Sequence, residues 1–213
     1  MIGHAELHEL MSSRRSVRRF TAQLPPRELI ERIIESAVTA PSASNRQPWR
    51  FTIVTSRATI AALATAVQTA VDRIALAIEP EFQAPFRAYG DYFRRFEAAP
   101  MVIVPLFRAI MTLSNLTGSR LGEDDRVRIA AMERDSGLIG TSLALQNLLL
   151  SAHAAGLAAS AMTGPLVAVD DLRSILRVSP SWTIAALVPI GYADETPAAP
   201  ARKSGKQVTE WLK

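Results

Sequence analysis

The chain has no cysteine among its 213 residues, which excludes disulfide staples, thiolate metal sites and cysteine nucleophiles. It also lacks the G-x-G-x-x-G and P-loop signatures, so neither dinucleotide nor triphosphate can be held by the usual glycine-rich route. No G-x-S-x-G elbow occurs, which removes the common hydrolase nucleophile. Histidine is scarce. His4 and His8 have metal-ligand spacing, but "HAELH" places its Glu wrongly for a zinc protease and offers no third ligand, so an exposed terminal turn is expected. The opening "MIGHAELHELMSSRRS" has no apolar run behind a positive segment, so a secretory signal is not expected and a cytoplasmic protein is.

Hydrophobic residues make up 48% of the chain and charged residues 21%, enough for a substantial core in one domain spanning 1–213 or in two small ones. The formal charge of +4 admits nucleic acid or any anionic cofactor and by itself chooses neither. The apolar segment 137–162 approaches membrane-spanning length. It carries Gln146, Asn147 and His153, however, and reads better as a central helix buried on most sides, with no membrane involved.

Leu7, Leu10 and Met11 predict a short helix ending near Ser12 and Ser13. Leu29, Ile30, Ile33, Ile34, Ala37 and Val38 predict a second, opened by Pro25 and Pro26 and closed by Pro41. "WRFTIVT" and "PMVIVPLF" read as strands, with a helix over 58–78 between them. Residues 79–99 read as irregular and aromatic, and 112–125 as a polar loop. A long helix over 127–155 ends at Gly156, followed by a short strand, a short helix and a last strand over 183–192. The pattern is α+β rather than strict βαβ alternation.

Two stretches carry the chemical signal. "RRSVRRF" places Arg14, Arg15, Arg18 and Arg19 around Ser16, with Val17 and Phe20 as apolar anchors. A solvated face, a nucleic-acid grip and a socket for a small phosphate all remain open. The anchors and the hydroxyl favour the socket, because arginine's fork binds such a dianion in bidentate fashion. "PSASNRQPW" brackets Ser42, Ser44, Asn45 and Gln47 between two prolines, a rigid set of donors and acceptors suited to a planar heterocycle.

Together with "DSGLIGTSLALQNLLLSAHAAGL" and "PIGYADETPAAPARKS", these stretches resemble the FMN-dependent nitroreductase family, in the family's order, with 79–126 unmatched. The resemblance implies a three-layer sandwich with a central mixed or antiparallel sheet between helices, a variable lid over 79–126, an extended C-terminal arm over 193–213 that carries basic residues back to the phosphate, and an intertwined homodimer with its active sites at the interface. It implies that Arg14, Arg15 and Ser16, helped by Arg202 and Lys203, hold the FMN phosphate. Arg18 would reach the N1/C2 edge of the ring, and Thr163 and Gly164 would lie by N5. Pro41, Ser42, Ala43, Asn45 and Gln47 would reach the flavin of the partner subunit. The implied reaction is ping-pong hydride transfer from NADPH or NADH through the flavin to a small oxidised acceptor, such as a nitroaromatic or quinone, with no further catalytic side chain and no metal. Thr163 stands where many relatives have Glu. The expected alternatives are a flavin-cleaving or dehydropeptide-oxidising enzyme of the same fold, a flavin-binding regulator, or a basic nucleic-acid-binding module.

Overall fold

The computed structural model describes residues 2–212. Helix α1 (His4–Ser13) is followed by α2 (Arg27–Ala37), which starts directly after the proline pair and buries Ile30, Ile33 and Ala37 at helical spacing. Strand β1 (Trp49–Val54) leads into α3 (Arg57–Leu76), whose first turn is capped by the Ser56 hydroxyl accepting from Thr59 N–H at 3.2 Å. Residues 79–99, expected to be irregular, are helical: α4 (Pro80–Gly90) opens on a proline at its first position and continues into a 3-10 turn over Asp91–Ala98.

Strand β2 (Met101–Phe107) is followed by a short helix α5 (Leu113–Thr117) inside the stretch expected to be loop. The long helix α6 (Glu123–Ala154) begins on its three acidic residues, which favour the positive end of the helix dipole, and ends at Gly156 with φ +76°. Then come β3 (Ala158–Ala159), α7 (Val169–Ile175), β4 (Thr183–Ile184) and β5 (Val188–Gly191).

The sheet runs β1-β2-β5-β3, with β4 also on β2, and every strand pair is antiparallel. Strand β2 is buried on both faces, so alternation along it divides the core in two. Val102, Val104 and Leu106 join α3, Phe96 and Leu172 on one side; Met101 and Ile103 join α2 and α6 on the other. This is the three-layer arrangement. Each large side chain buried this way contributes about 1.5–3 kcal/mol.

The strand expected over 183–192 is split, and the register gives the reason. Ile103 faces Val188 and Leu106 faces Ile184, so three residues oppose two, beside Pro105, which has no N–H to offer a neighbour. The extra residue leaves Leu187 free to pair with Met162 instead, by reciprocal backbone bonds of 2.9 Å. The bulge thus fixes the turn that starts at Met162. Helix α6 is buried along one stripe only, on residues such as Gly137, Ala144 and Leu148. Its opposite face exposes Met132, Ile139 and Leu143, less burial than the sequence leads one to expect.

Candidate functional site

The arginine segment is held as an extra edge of the sheet. Ser16 bridges Ala159 in parallel, Thr21 N–H donates to the Tyr192 carbonyl at 2.9 Å, and Phe20 bridges Ala193. Val17 and Phe20 are buried and pack with Ala99. Consequently Arg14, Ser16 and Arg18 cannot swing freely into water, as a solvated charge run would.

Glu195 completes the anchorage. One oxygen accepts from the Arg18 N–H at 2.7 Å and the Arg19 N–H at 3.1 Å, while the other lies 3.3 Å from Arg19 Nε. The Arg18 N–H bond, with Arg19 N–H and the nearby guanidinium groups, holds this carboxyl below the usual carboxylate range despite partial burial. Glu195 escaped the sequence reading because its partners are 176 and 177 residues away. His153 escaped as a site neighbour for the same reason: its Nε2 lies 2.9 Å from Ser13 Oγ, across 140 residues. Burial, then Arg14 and Arg15, push its pKa down.

Arg14, Arg15, Ser16, Arg18 and Arg202 line one cavity of about 360 Å³ with the proline-rich tail. Burial, Arg202 and Arg15 all lower the pKa of Arg14, so the cations strain against one another. No carboxylate among the described residues pairs with Arg14, Arg15 or Arg202. Such a cage is suited to a dianion. Lys203, grouped with Arg202 by the sequence reading, is exposed and does not line the cavity.

Arg18 also lines a second cavity of about 360 Å³, with Tyr89, Tyr92, Phe93, Thr163 and Gly164. It therefore joins the anion cage to an aromatic chamber. Tyr89 meets Phe93 edge to face with centroids 5.0 Å apart, and Arg95 caps the Tyr92 ring at 3.8 Å. Gly164 is required there, because a side chain would collide with the Phe93 ring. The aromatic stretch 82–96 thus forms one wall of this chamber and is also packed helix.

Pro41, Ser42, Ala43, Asn45 and Gln47 line neither cavity within the one chain. Their loop is exposed apart from Ser42 and makes a 3-10 turn over Ala43–Asn45. Ser44, Asn45 and Gln47 have φ of 50°, 51° and 46°, the left-handed region that costs an L-residue about 1–2 kcal/mol. Ser42 holds the turn by accepting the Gln47 N–H at 2.9 Å through its hydroxyl. The turn is rigid and presented outward.

The profile of the Nitroreductase family matches residues 11–192. The chain is 28% identical over 95% of its length to an iodotyrosine dehalogenase 1 homolog of Caenorhabditis elegans, of which it spans 60%. A BluB-like flavoprotein from Clostridium difficile 630 superposes with a TM-score of 0.86 at 20% identity, over 98% of this chain and 99% of that one. The FMN-dependent nitroreductase NfnB from Mycobacterium smegmatis, solved with NADPH, superposes with a TM-score of 0.68 at 24% identity, over 97% and 98%.

Proposed function

Since this chain belongs to the nitroreductase family, we propose that it is an FMN-dependent oxidoreductase, acting as a homodimer on a small oxidised organic acceptor with NADPH or NADH as reductant. The observation that carries this reading is the continuity of the Arg14–Arg15–Ser16–Arg202 cage with the aromatic chamber through Arg18. The donor set fits FMN: mutually repelling cations and a hydroxyl for a phosphate dianion, then a cation beside a flat-walled chamber for a ring. Once bound, the flavin supplies the hydride relay between nicotinamide and acceptor.

The chain's own residues bind and orient. Glu195 fixes the backbone of Arg18, which holds that guanidinium at the junction of the two cavities. A fixed cation there stabilises negative charge arising in the ring system without reorganisation. The turn after Met162 is pinned by the Leu187 pairing, so the Thr163 and Gly164 backbone is positioned rather than flexible. Tyr89, Tyr92 and Phe93 give the chamber flat walls that favour planar substrates.

The homodimer reading is supported by what one chain leaves unfinished. The 41–47 turn faces outward, α6 exposes Met132, Ile139 and Leu143, and the tail exposes Trp211 and Leu212 at 85% and 90%. A second copy would cover these apolar groups and bring Ser42, Asn45 and Gln47 to the first copy's chamber.

The deciding experiment is the visible spectrum of purified protein before and after anaerobic NADPH or NADH. A flavin band that bleaches is expected; absence of a band even after added FMN overturns the reading. A second reading, reductive removal of halide from a halogenated phenol, is favoured by the dehalogenase relative together with the aromatic chamber beside Arg18. Halide release from an iodinated phenol by dithionite-reduced protein, with little nicotinamide oxidation, would select it.

A further inference from the structure

Beside the 41–47 turn, and outside the Arg14 cage, lies a second cluster of cations. Arg46 and Arg108 line a cavity of about 490 Å³, with Thr112, Asn115 and Ser181. Just outside it, Arg50 and Arg108 stand 5.5 and 5.3 Å from the centroid of the same Trp182 ring. Among the described residues, the guanidinium groups of Arg46, Arg50 and Arg108 have no carboxylate partner. The contrast with α6 is informative, since all three of its arginines, Arg126, Arg128 and Arg134, are paired. Surface pairing is cheap to arrange, and here it is missing where cations converge.

The wall of this cavity is built rather than incidental. Glu133 is 3% exposed, and one of its oxygens accepts from the N–H groups of Thr112 and Leu113, each at 2.6 Å, and of Ser114 at 3.2 Å. The other accepts from the Ser114 hydroxyl. At Gly137 a side chain would collide with the Arg108 carbonyl, so α6 admits the strand end at close range. The nearest buried carboxylate is therefore consumed by backbone and holds the loop that presents Arg108, Thr112 and Asn115. Trp182 is fixed in turn by Arg173, which donates to the Trp182 carbonyl at 2.5 Å. The Glu133 anchorage and the Arg173 bond thus tie down the backbone on two sides of the cavity, with two arginine forks and hydroxyl donors between them.

We propose that this cavity is a second oxyanion site, for a phosphate group, in which Arg46 and Arg108 form the clamp and Thr112 and Ser181 supply hydroxyl donors. Trp182 stands over Arg108 on one side and orders that fork. The phosphate can come from the ribose phosphate of a nucleotide or from free inorganic phosphate. The nucleotide source rests on the reading that the chain uses a nicotinamide coenzyme, but the anion site itself does not.

The test is calorimetric titration of the full chain at low salt with inorganic phosphate and, separately, with 2′,5′-ADP. Wild type, R46A/R108A and R14A/S16A are compared. The expected result is a saturable site that R46A/R108A weakens by about tenfold or more and that R14A/S16A leaves intact. Tighter binding of 2′,5′-ADP identifies a nucleotide, and equal binding identifies free phosphate. Both arginines are exposed, so truncation should leave the melting temperature unchanged. The charge-keeping R46K/R108K should bind weakly rather than not at all. No binding by wild type, or binding abolished only by R14A/S16A, overturns the proposal. The latter would place the phosphate in the Arg14 cage, whether or not that cage holds FMN.

Discussion

The arginine segment and the 41–47 turn are both polar, both follow a helix, and both carry chemistry in the sequence, yet the fold treats them in opposite ways. The segment over 14–20 is stitched to β3, to the end of β5 and to Glu195, so its cations converge within one chain. The turn is held mainly by bonds within itself, from the Gln47 N–H to the Ser42 hydroxyl and from the Arg46 N–H to the Ala43 carbonyl, with left-handed backbone at three non-glycine positions, and it reaches no cavity that the segment lines. One is finished by long-range pairing; the other is preorganised and incomplete. Strained backbone at Ser44, Asn45 and Gln47 points to a role in what the turn presents, which the proposed dimer would use at the partner's chamber.

The largest effect expected is on the finished half. On the proposed reading, R14A/S16A removes two phosphate contacts of about 1.5–3 kcal/mol each, so FMN binding should weaken by roughly 10²–10⁴-fold in a fluorescence titration, with the fold intact. An affinity unchanged by the double substitution would show that the cage holds something else. The incomplete half is probed by mixing. R14A/S16A and an N45A/Q47A variant should each be inactive alone. Refolded together, they should recover about a quarter of wild-type activity, because half of the dimers are mixed and each mixed dimer has one intact site. No recovery would mean that the turn serves its own chain.

The two anchoring carboxylates sharpen the comparison further. Burial alone would raise the Glu133 pKa, but the Ser114 hydroxyl and the N–H groups of Ser114, Leu113 and Thr112 more than reverse this. Glu195 is also held low, chiefly by the Arg18 N–H. Glu133→Ala should cost about 3 kcal/mol in urea unfolding, and Glu195→Gln about 1 kcal/mol, since an amide oxygen still accepts the Arg18 and Arg19 N–H groups while the charge and the Arg19 Nε contact are lost. Both groups have a lower pKa folded than unfolded. Their stabilisation is therefore complete above about pH 4.3 and is lost as pH falls through the folded values. Glu195→Gln should flatten the acid limb of stability; an unchanged limb would remove Glu195 from the account.

The sequence made the helices and the two motifs legible because both are local. Ile30 and Ile33 lie one turn apart, and Arg14 to Arg19 can be read in a single line. The order of family motifs then implied the layers, which β2 supports by burying alternate residues on opposite faces. What could not be read depends on register and distance. The break at Ala185 to Leu187 follows from what lies opposite Pro105. Glu195 looks like one acid in a proline-rich tail until its partners in the arginine segment are known. The helix over 80–90 was hidden by Pro80 and Pro85, of which the first opens it and the second lies inside. The family resemblance grouped Lys203 with Arg202, but here Lys203 is exposed and only Arg202 of the two lines the cage.

The smallest effect tests the strain itself. Gln47 adopts φ 46° beside Pro48, in a turn whose side chains make few contacts within the chain. If this backbone is kept for what the turn presents and not for stability, Gln47→Gly relieves a penalty of about 1–2 kcal/mol against a glycine entropy cost of up to about 1 kcal/mol. The net should be stabilisation of a few tenths to about 1 kcal/mol, read as a higher urea midpoint at unchanged slope. Activity should fall in the same variant, because it loses the side chain proposed to reach the partner's chamber and a flexible glycine no longer holds the turn in its presented form. Stability and activity moving in opposite directions would identify the turn as a functional element. A loss of both would make Gln47 an ordinary structural residue and leave the arginine cage as the only preorganised half of the site.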